Sequence, residues 1–83
     1  MVVNNPQGLH IRAATAIAKT VRQFASKVEL VSNDHRVDGT DVWQILSMGA
    51  HAGTELALEA SGPDAHEALA ALARLFSENF GEE

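Results

Sequence analysis

Residues 11–26 read IRAATAIAKTVRQFAS, and apolar side chains recur along this stretch with the period of an α-helix. The apolar positions are Ala14, Ile17, Ala18, Val21, Phe24 and Ala25. The spacing predicts an amphipathic helix over residues 11–26. The opposite face, which we expect in solvent, holds Arg12, Thr15, Lys19, Arg22 and Ser26.

The residue that precedes this helix is His10, which follows a loop-forming segment, Asn4-Asn5-Pro6-Gln7-Gly8. A helix N-terminus presents unpaired N–H groups and partial positive charge, which favour phosphate or another anion. Arg12 adds a permanent charge there. A neutral imidazole is a nucleophile near pH 7 and can carry a covalent group. Spacing alone leaves two interpretations open: a phosphorylated histidine, or an ordinary cap.

The rest of the chain predicts three strands and two further helices. Lys27–Val31 and a short His35–Val37 segment form a predicted hairpin, and residues 54–60 alternate as a strand. Asp41 opens a short helix to about Met48, with Gln44 completing a capping box.

The last predicted helix begins after Asp64, with Glu67 at the third position as in a capping box, and Gly81 is expected to end it. Its apolar stripe is Ala65, Ala68, Leu69, Leu72, Leu75, Phe76 and Phe80. Amphipathic helices and one-faced strands pack best as a two-layer α/β sandwich. A fourth strand could come only from the very short segment Met1-Val2-Val3.

Length and charge limit the function classes. The 83 residues suit a single domain over residues 1–83, and the absence of cysteine excludes a thiol nucleophile and a disulfide scaffold. Residues 1–28 contain four basic and no acidic residues, whereas residues 29–83 contain two basic and eleven acidic ones. The net charge of −5 argues against nucleic acid, but the basic first segment is suited to an anion. No apolar run approaches membrane-span length, so we expect a cytoplasmic protein without membrane insertion.

Two kinds of side chain need separate interpretation. His35, His51 and His66 lack metal-ligand spacing, and we expect ordinary histidines and no metal site. Trp43, the single tryptophan, has two open interpretations: a core residue, or an exposed interface anchor with Ile45 and Met48 facing inward.

The segment Gly8-Leu9-His10-Ile11-Arg12-Ala13-Ala14 resembles the phosphoacceptor motif of the histidine-containing phosphocarrier family, HPr, of the bacterial phosphotransferase system. The similarity continues through residues 42–50, 53–55 and 60–62 at the family's distances, and through the closing helix. The resemblance implies an α+β open-faced sandwich in which three helices cover one face of a small antiparallel sheet of about four strands.

The resemblance also implies a function. His10 would accept a phosphoryl group at Nδ1 from Enzyme I and pass it to EIIA-type domains, and Arg12 would contact the phosphate. It implies a carrier rather than a stand-alone enzyme, monomeric and without a cofactor. The implied partner-binding residues are Thr15, Lys19, Arg22, Val42, Trp43 and Leu46.

Three departures from the family pattern stand out. Many sugar-system members have a proline where this chain has Ala13. An alanine at this position is similar to the nitrogen-system branch, NPr. Asp41 occupies the position of the serine in kinase-regulated members, and the segment before His10 is short. These departures keep open an alternative: a regulatory module whose His10 phosphorylation signals to partner proteins without driving sugar uptake.

Overall fold

A computed structural model describes residues 10–32, 35–48, 54–78 and Phe80. In chain order the elements are α1 Ile11–Val21, β1 Lys27–Ser32, β2 His35–Asp38, α2 Val42–Ser47, β3 Ala57–Ser61 and α3 Ala65–Ser77. Within this described part, three antiparallel strands form one sheet in the order β2-β1-β3. The predicted α+β sandwich is confirmed with three strands where about four were expected. The proposed fourth strand, Met1-Val2-Val3, lies outside the described residues.

The core lies between the helices and one face of the sheet. Along β1, Val28 and Leu30 are fully buried while the intervening Glu29 is not, as the two-residue period of a strand requires. The buried side chains from the helices include Ile17 of α1, Ile45 of α2 and Phe76 of α3. The opposite face of the sheet remains open, and there Arg36 bridges the directly paired Glu29 and Glu59.

The predicted α1 is too long at its C-terminal end, because the helix stops at Val21 instead of Ser26. Tight turns follow, in which Gln23 N donates to Thr20 O and Phe24 N to Val21 O, both at 3.1 Å. Ser26, expected in solvent, is buried. A contact with a distant residue, Asp64, holds this exit and has no signal in the local periodicity.

Asp64 occupies the N-cap position of α3, but its side chain makes no capping hydrogen bond, so the predicted capping box is wrong. Its carboxylate instead accepts from Ala25 N at 2.9 Å and from Ser26 Oγ at 2.5 Å. These donors hold the pKa of the Asp64 carboxyl below its usual value, the Ser26 hydroxyl most of all. Gly62 permits the close approach: its φ is +139°, and a Cβ there would lie 2.7 Å from Ser26 Oγ.

The remaining predictions agree with the structure apart from element ends. The hairpin pairs Leu30 with Val37, and β3 begins at Ala57, later than the predicted residue 54. Phe80, expected in the α3 stripe, lies beyond the end of the helix and packs edge-on against Phe76 with ring centroids 4.9 Å apart. The predicted helix stop, Gly81, is outside the described residues.

Candidate functional site

His10 is the N-cap residue of α1. Its backbone is extended, and its Nδ1 accepts a hydrogen bond from Arg12 N at 3.1 Å. A ring nitrogen that accepts an N–H carries its lone pair, so this bond assigns the neutral tautomer with the proton on Nε2. The predicted position of His10 at the helix entrance is therefore confirmed, with the Nδ1 lone pair directed at the helix terminus. The loop before it, Asn4–Gly8, falls outside the described residues.

The N-terminus of α1 keeps its positive character. Its first turn contains no acidic residue, and His10 supplies a neutral nitrogen where many helices have a carboxylate. Arg12 is exposed, and its guanidinium makes no hydrogen bond within the described part of the chain. An anion bound at His10 would therefore meet backbone N–H groups, the helix dipole and the exposed Arg12 guanidinium together.

The polar face of α1 presents Thr15, Lys19 and Arg22 to solvent, as its period predicts. Two of these side chains make hydrogen bonds to backbone oxygens: Thr15 Oγ1 donates to Ile11 O at 2.7 Å, and Arg22 Nη2 donates to Thr40 O, 18 residues away, at 2.7 Å. Sequence reasoning missed the Arg22 contact because its acceptor is a backbone atom of another element. Lys19 is exposed, and its side chain makes no hydrogen bond among the described residues.

The helix α2 is capped by Asp41. Its Oδ1 accepts from Trp43 N at 3.0 Å and from Gln44 N at 3.2 Å, and its Oδ2 accepts from Gln44 Nε2 at 3.2 Å. The predicted N-cap is therefore confirmed, but Gln44 does not complete a capping box, because Asp41 N donates to Asp38 O instead of to the Gln44 side chain. Gln44 also accepts from Asp38 N through Oε1, at 3.1 Å, which ties the helix to the end of β2.

Trp43 is 76% exposed, so the interpretation of this residue as a core side chain is wrong. Ile45 takes the buried position of α2, while Val42 and Leu46 are half-buried against the core. A tryptophan in water with a well-packed helix beneath it is typical of a binding anchor, because its large apolar surface gains most when a partner covers it.

The six implied partner-binding residues lie on α1 and α2, two helices that pack against each other. We call this set the docking surface: Thr15, Lys19, Arg22, Val42, Trp43 and Leu46. The sequence analysis missed Ile11, which is 60% exposed beside His10. The helical period does not identify Ile11 as exposed, because this residue lies one turn before the buried Ala14 and so falls on the face that packs into the core.

The remaining histidines of the sequence are His35, His51 and His66. His35 and His66 are exposed, and His51 lies outside the described residues. Over 10–32, 35–48, 54–78 and 80, no group of three or more His, Asp or Glu is arranged to hold a metal ion. None of the helices in that part of the chain is long and apolar enough to cross a membrane.

Known proteins are similar to this chain in sequence and in fold. Residues 1–78 match the family model for the PTS HPr component phosphorylation site. Phosphocarrier protein HPr of Neisseria meningitidis is 40% identical over 78 residues, which is 94% of this chain and 88% of that protein. A crystal structure of HPr from Thermoanaerobacter tengcongensis superposes with a TM-score of 0.95 at 32% identity, covering 100% of this chain and 93% of the other.

A longer protein is also similar. The phosphoryl donor subunit DhaM of a PEP-dependent dihydroxyacetone kinase from Providencia stuartii is 36% identical over 81 residues, which is 98% of this chain and 17% of that subunit. The match therefore covers a small part of that longer subunit. With the fold and the histidine at the start of α1, these findings establish that the chain belongs to the HPr family of phosphocarriers of the phosphotransferase system.

Proposed function

We propose that His10 accepts a phosphoryl group from phosphorylated Enzyme I and passes it to EIIA-type domains. The observation that carries the proposal is the hydrogen bond from Arg12 N to His10 Nδ1, 3.1 Å long, at a helix N-terminus without acidic residues. The bond orients the imidazole, and the lone pair that accepts it is the one a phosphoryl transfer uses.

The transfer is a displacement at phosphorus. The lone pair of Nδ1 forms the new N–P bond, while the bond between phosphorus and the donor breaks and its electron pair returns to the donor. Nδ1 then has no lone pair for Arg12 N, and that N–H turns to a phosphoryl oxygen. Transfer onward reverses these steps, so His10 ends as it began.

Arg12 has the role of charge partner in this proposal. Its guanidinium is exposed and without a hydrogen bond among the described residues, so it is available to the phosphoryl oxygens once they arrive. A permanent cation also lowers the cost of bringing a phosphoryl group to a ring in partly buried surroundings.

The test is a labelling experiment with phosphoenolpyruvate, Enzyme I and this protein. We expect an acid-labile phosphate on the native chain that is absent in His10→Ala. Matched controls are His35→Ala and His66→Ala, which remove exposed histidines elsewhere and should label normally. Absence of label on the native protein would contradict the proposal. Restored sugar uptake in cells lacking their own carrier would distinguish a carrier from a signalling module.

Partners are proposed to bind the docking surface, with Trp43 as its anchor. Trp43→Ala should lower kcat/KM for transfer from Enzyme I by about 5- to 30-fold, the effect of a hot-spot residue worth about 1–2 kcal/mol. Because the side chain is 76% exposed, the midpoint of thermal unfolding should stay close to that of the native protein. A large loss of stability with an unchanged kcat/KM would contradict the anchor role.

The position of Asp41 favours a protein that a serine kinase does not control there. The residue has no hydroxyl group, and both of its carboxylate oxygens are engaged in the cap of α2. We therefore assign Asp41 a structural role in place of a regulatory one. The proposal further takes the protein to be cytoplasmic and monomeric. Sedimentation of the purified chain would check the monomeric state.

A further inference from the structure

Arg22 connects two elements of the docking surface. It is the C-cap residue of α1, and its Nη2 donates to the carbonyl oxygen of Thr40 at 2.7 Å. Thr40 stands two residues before the first residue of α2, Val42. The side chain therefore leaves one helix and ends at the entrance of the next. Lys19, one turn earlier on the same face, makes no such bond within the described part of the chain.

The segment that receives Arg22 is itself held firmly. Thr40 N and Thr40 Oγ1 both donate to Asp38 Oδ1 at 2.8 Å, and these bonds keep the pKa of the Asp38 carboxyl below its usual value. Gly39 N donates to Val28 O at 2.8 Å, which ties the segment to β1. The Arg22 hydrogen bond connects the same segment to α1, so residues 38–41 are held to both the sheet and the helical layer.

The helix that follows this segment, α2, cannot hold its orientation alone. It has six residues, well below the length at which an isolated helix is stable in water, and Ile45 is its one buried residue. Its direction relative to α1 is therefore set by packing and by the hydrogen bonds at residues 38–41. Trp43, the exposed anchor, moves with it.

We infer that Arg22 is a positioning residue that holds α2, and with it Trp43, in the orientation partners bind. The inference rests on the proposed role of the docking surface. When the tie to Thr40 is lost, α2 samples other orientations, and the apparent affinity for a partner falls by the fraction of time that α2 is correctly placed. The loss appears in KM, because the chemistry at His10 is unchanged.

The test compares Arg22→Gln with Lys19→Gln. Both variants remove one positive charge from the same helix face, so both weaken electrostatic steering toward Enzyme I at about 0.1 M salt. At about 1 M salt, where the screening length is about 3 Å, the steering contribution disappears. There we expect the loss in Lys19→Gln to shrink, because its steering contribution is screened, while Arg22→Gln remains about 3- to 10-fold below Lys19→Gln through a raised KM.

Trp43 provides a second readout that needs no partner. The chain has one tryptophan and no tyrosine, so the fluorescence anisotropy decay reports the motion of the Trp43 indole, which includes any added motion of α2. Arg22→Gln should add a fast component with larger amplitude, and Lys19→Gln should not. Equal kcat/KM values for the two variants at high salt, or an unchanged anisotropy decay in Arg22→Gln, would overturn the inference. Failure of the proposed function is visible separately, as a native protein that Enzyme I does not phosphorylate.

Discussion

The N-termini of α1 and α2 solve the same problem with different groups. The cap of α2 is the Asp41 carboxylate, which accepts two backbone N–H groups and a side-chain amide. The cap of α1 is the neutral Nδ1 of His10, which accepts one backbone N–H, and no acidic residue follows in the first turn. The two ends therefore differ in how much of the helix charge the protein itself neutralises.

The difference shows that the N-terminus of α1 remains open to an anion, whereas that of α2 does not. A carboxylate at an N-cap stabilises a helix by filling the place where an anion would bind. At α2 that place is filled, and the helix serves as a support for Trp43. At α1 the weak cap leaves the helix dipole and the Arg12 charge without a neutralising carboxylate, as the proposed phosphoryl transfer at His10 requires.

The strongest way to break this comparison is to give α1 the cap of α2, with His10→Asp. We expect phosphoryl transfer to fall to background, because the imidazole nucleophile is gone and a fixed negative charge repels the incoming group. Stability should rise by about 0.5–1 kcal/mol, since aspartate is a better N-cap. Transfer assays and urea unfolding measure the two effects.

The control is His10→Ala, which removes nucleophile and cap together. It should lose transfer as completely, but its free energy of unfolding should decrease instead of increase. If both variants are less stable than the native protein by similar amounts, the N-terminus of α1 is not under-capped and the comparison fails.

The N-terminus of α3 shows that a carboxylate at an N-cap position need not cap. Asp64 reaches away from its own helix to Ala25 N and Ser26 Oγ at the exit of α1. Ser26→Ala should lower the free energy of unfolding by about 1–2 kcal/mol, because a buried hydrogen bond is lost. A matched control is Ser77→Ala, an exposed serine whose Oγ bonds only within α3, which should change stability by less than about 0.5 kcal/mol. Equal effects of the two variants would show that the tie is not important for stability.

Local sequence patterns predicted what local physics controls. The stripe of α1 from Ala14 to Val21, the alternation of β1 and the Asp41 cap depend on residues within a few positions of each other, and these predictions are confirmed. Ala25, predicted in the same stripe, lies beyond the helix and is exposed. Patterns failed where a distant partner decides. Asp64 and Ser26 are 38 residues apart, and their bond holds the segment after α1 and engages the carboxylate that was predicted to cap α3. The spacing of Arg22 likewise says nothing about a carbonyl 18 residues away.

A smaller effect is expected at the cap of α2. Asp41→Ala should lower the free energy of unfolding by about 1 kcal/mol, the usual cost of removing an N-cap acceptor, or about 4–8 °C in unfolding midpoint for a domain of this size. Asp41→Asn keeps an acceptor oxygen and should lose much less. If the asparagine variant is as unstable as the alanine one, charge, and not hydrogen bonding, dominates this cap.

The smallest effect is a change in acid sensitivity that separates Asp64 from the other carboxylates. The Ser26 and Ala25 donors keep the pKa of Asp64 low in the folded protein, whereas the unfolded chain takes the ordinary value of about 3.9. The unfolded state therefore binds more protons between these pKa values, so the contribution of Asp64 to stability is complete above the unfolded pKa and is lost as pH falls through the folded one. Asp38 and Glu59 also have lowered pKa values and contribute in the same window, so the native curve alone does not isolate Asp64.

In Ser26→Ala the largest cause of the lowered Asp64 pKa is absent, and the stability of this variant should decline less steeply than that of the native protein below about pH 4. Urea unfolding of both proteins across this range measures the difference in slope, and parallel curves would mean that the tie between Asp64 and Ser26 does not depend on the charge of the carboxylate.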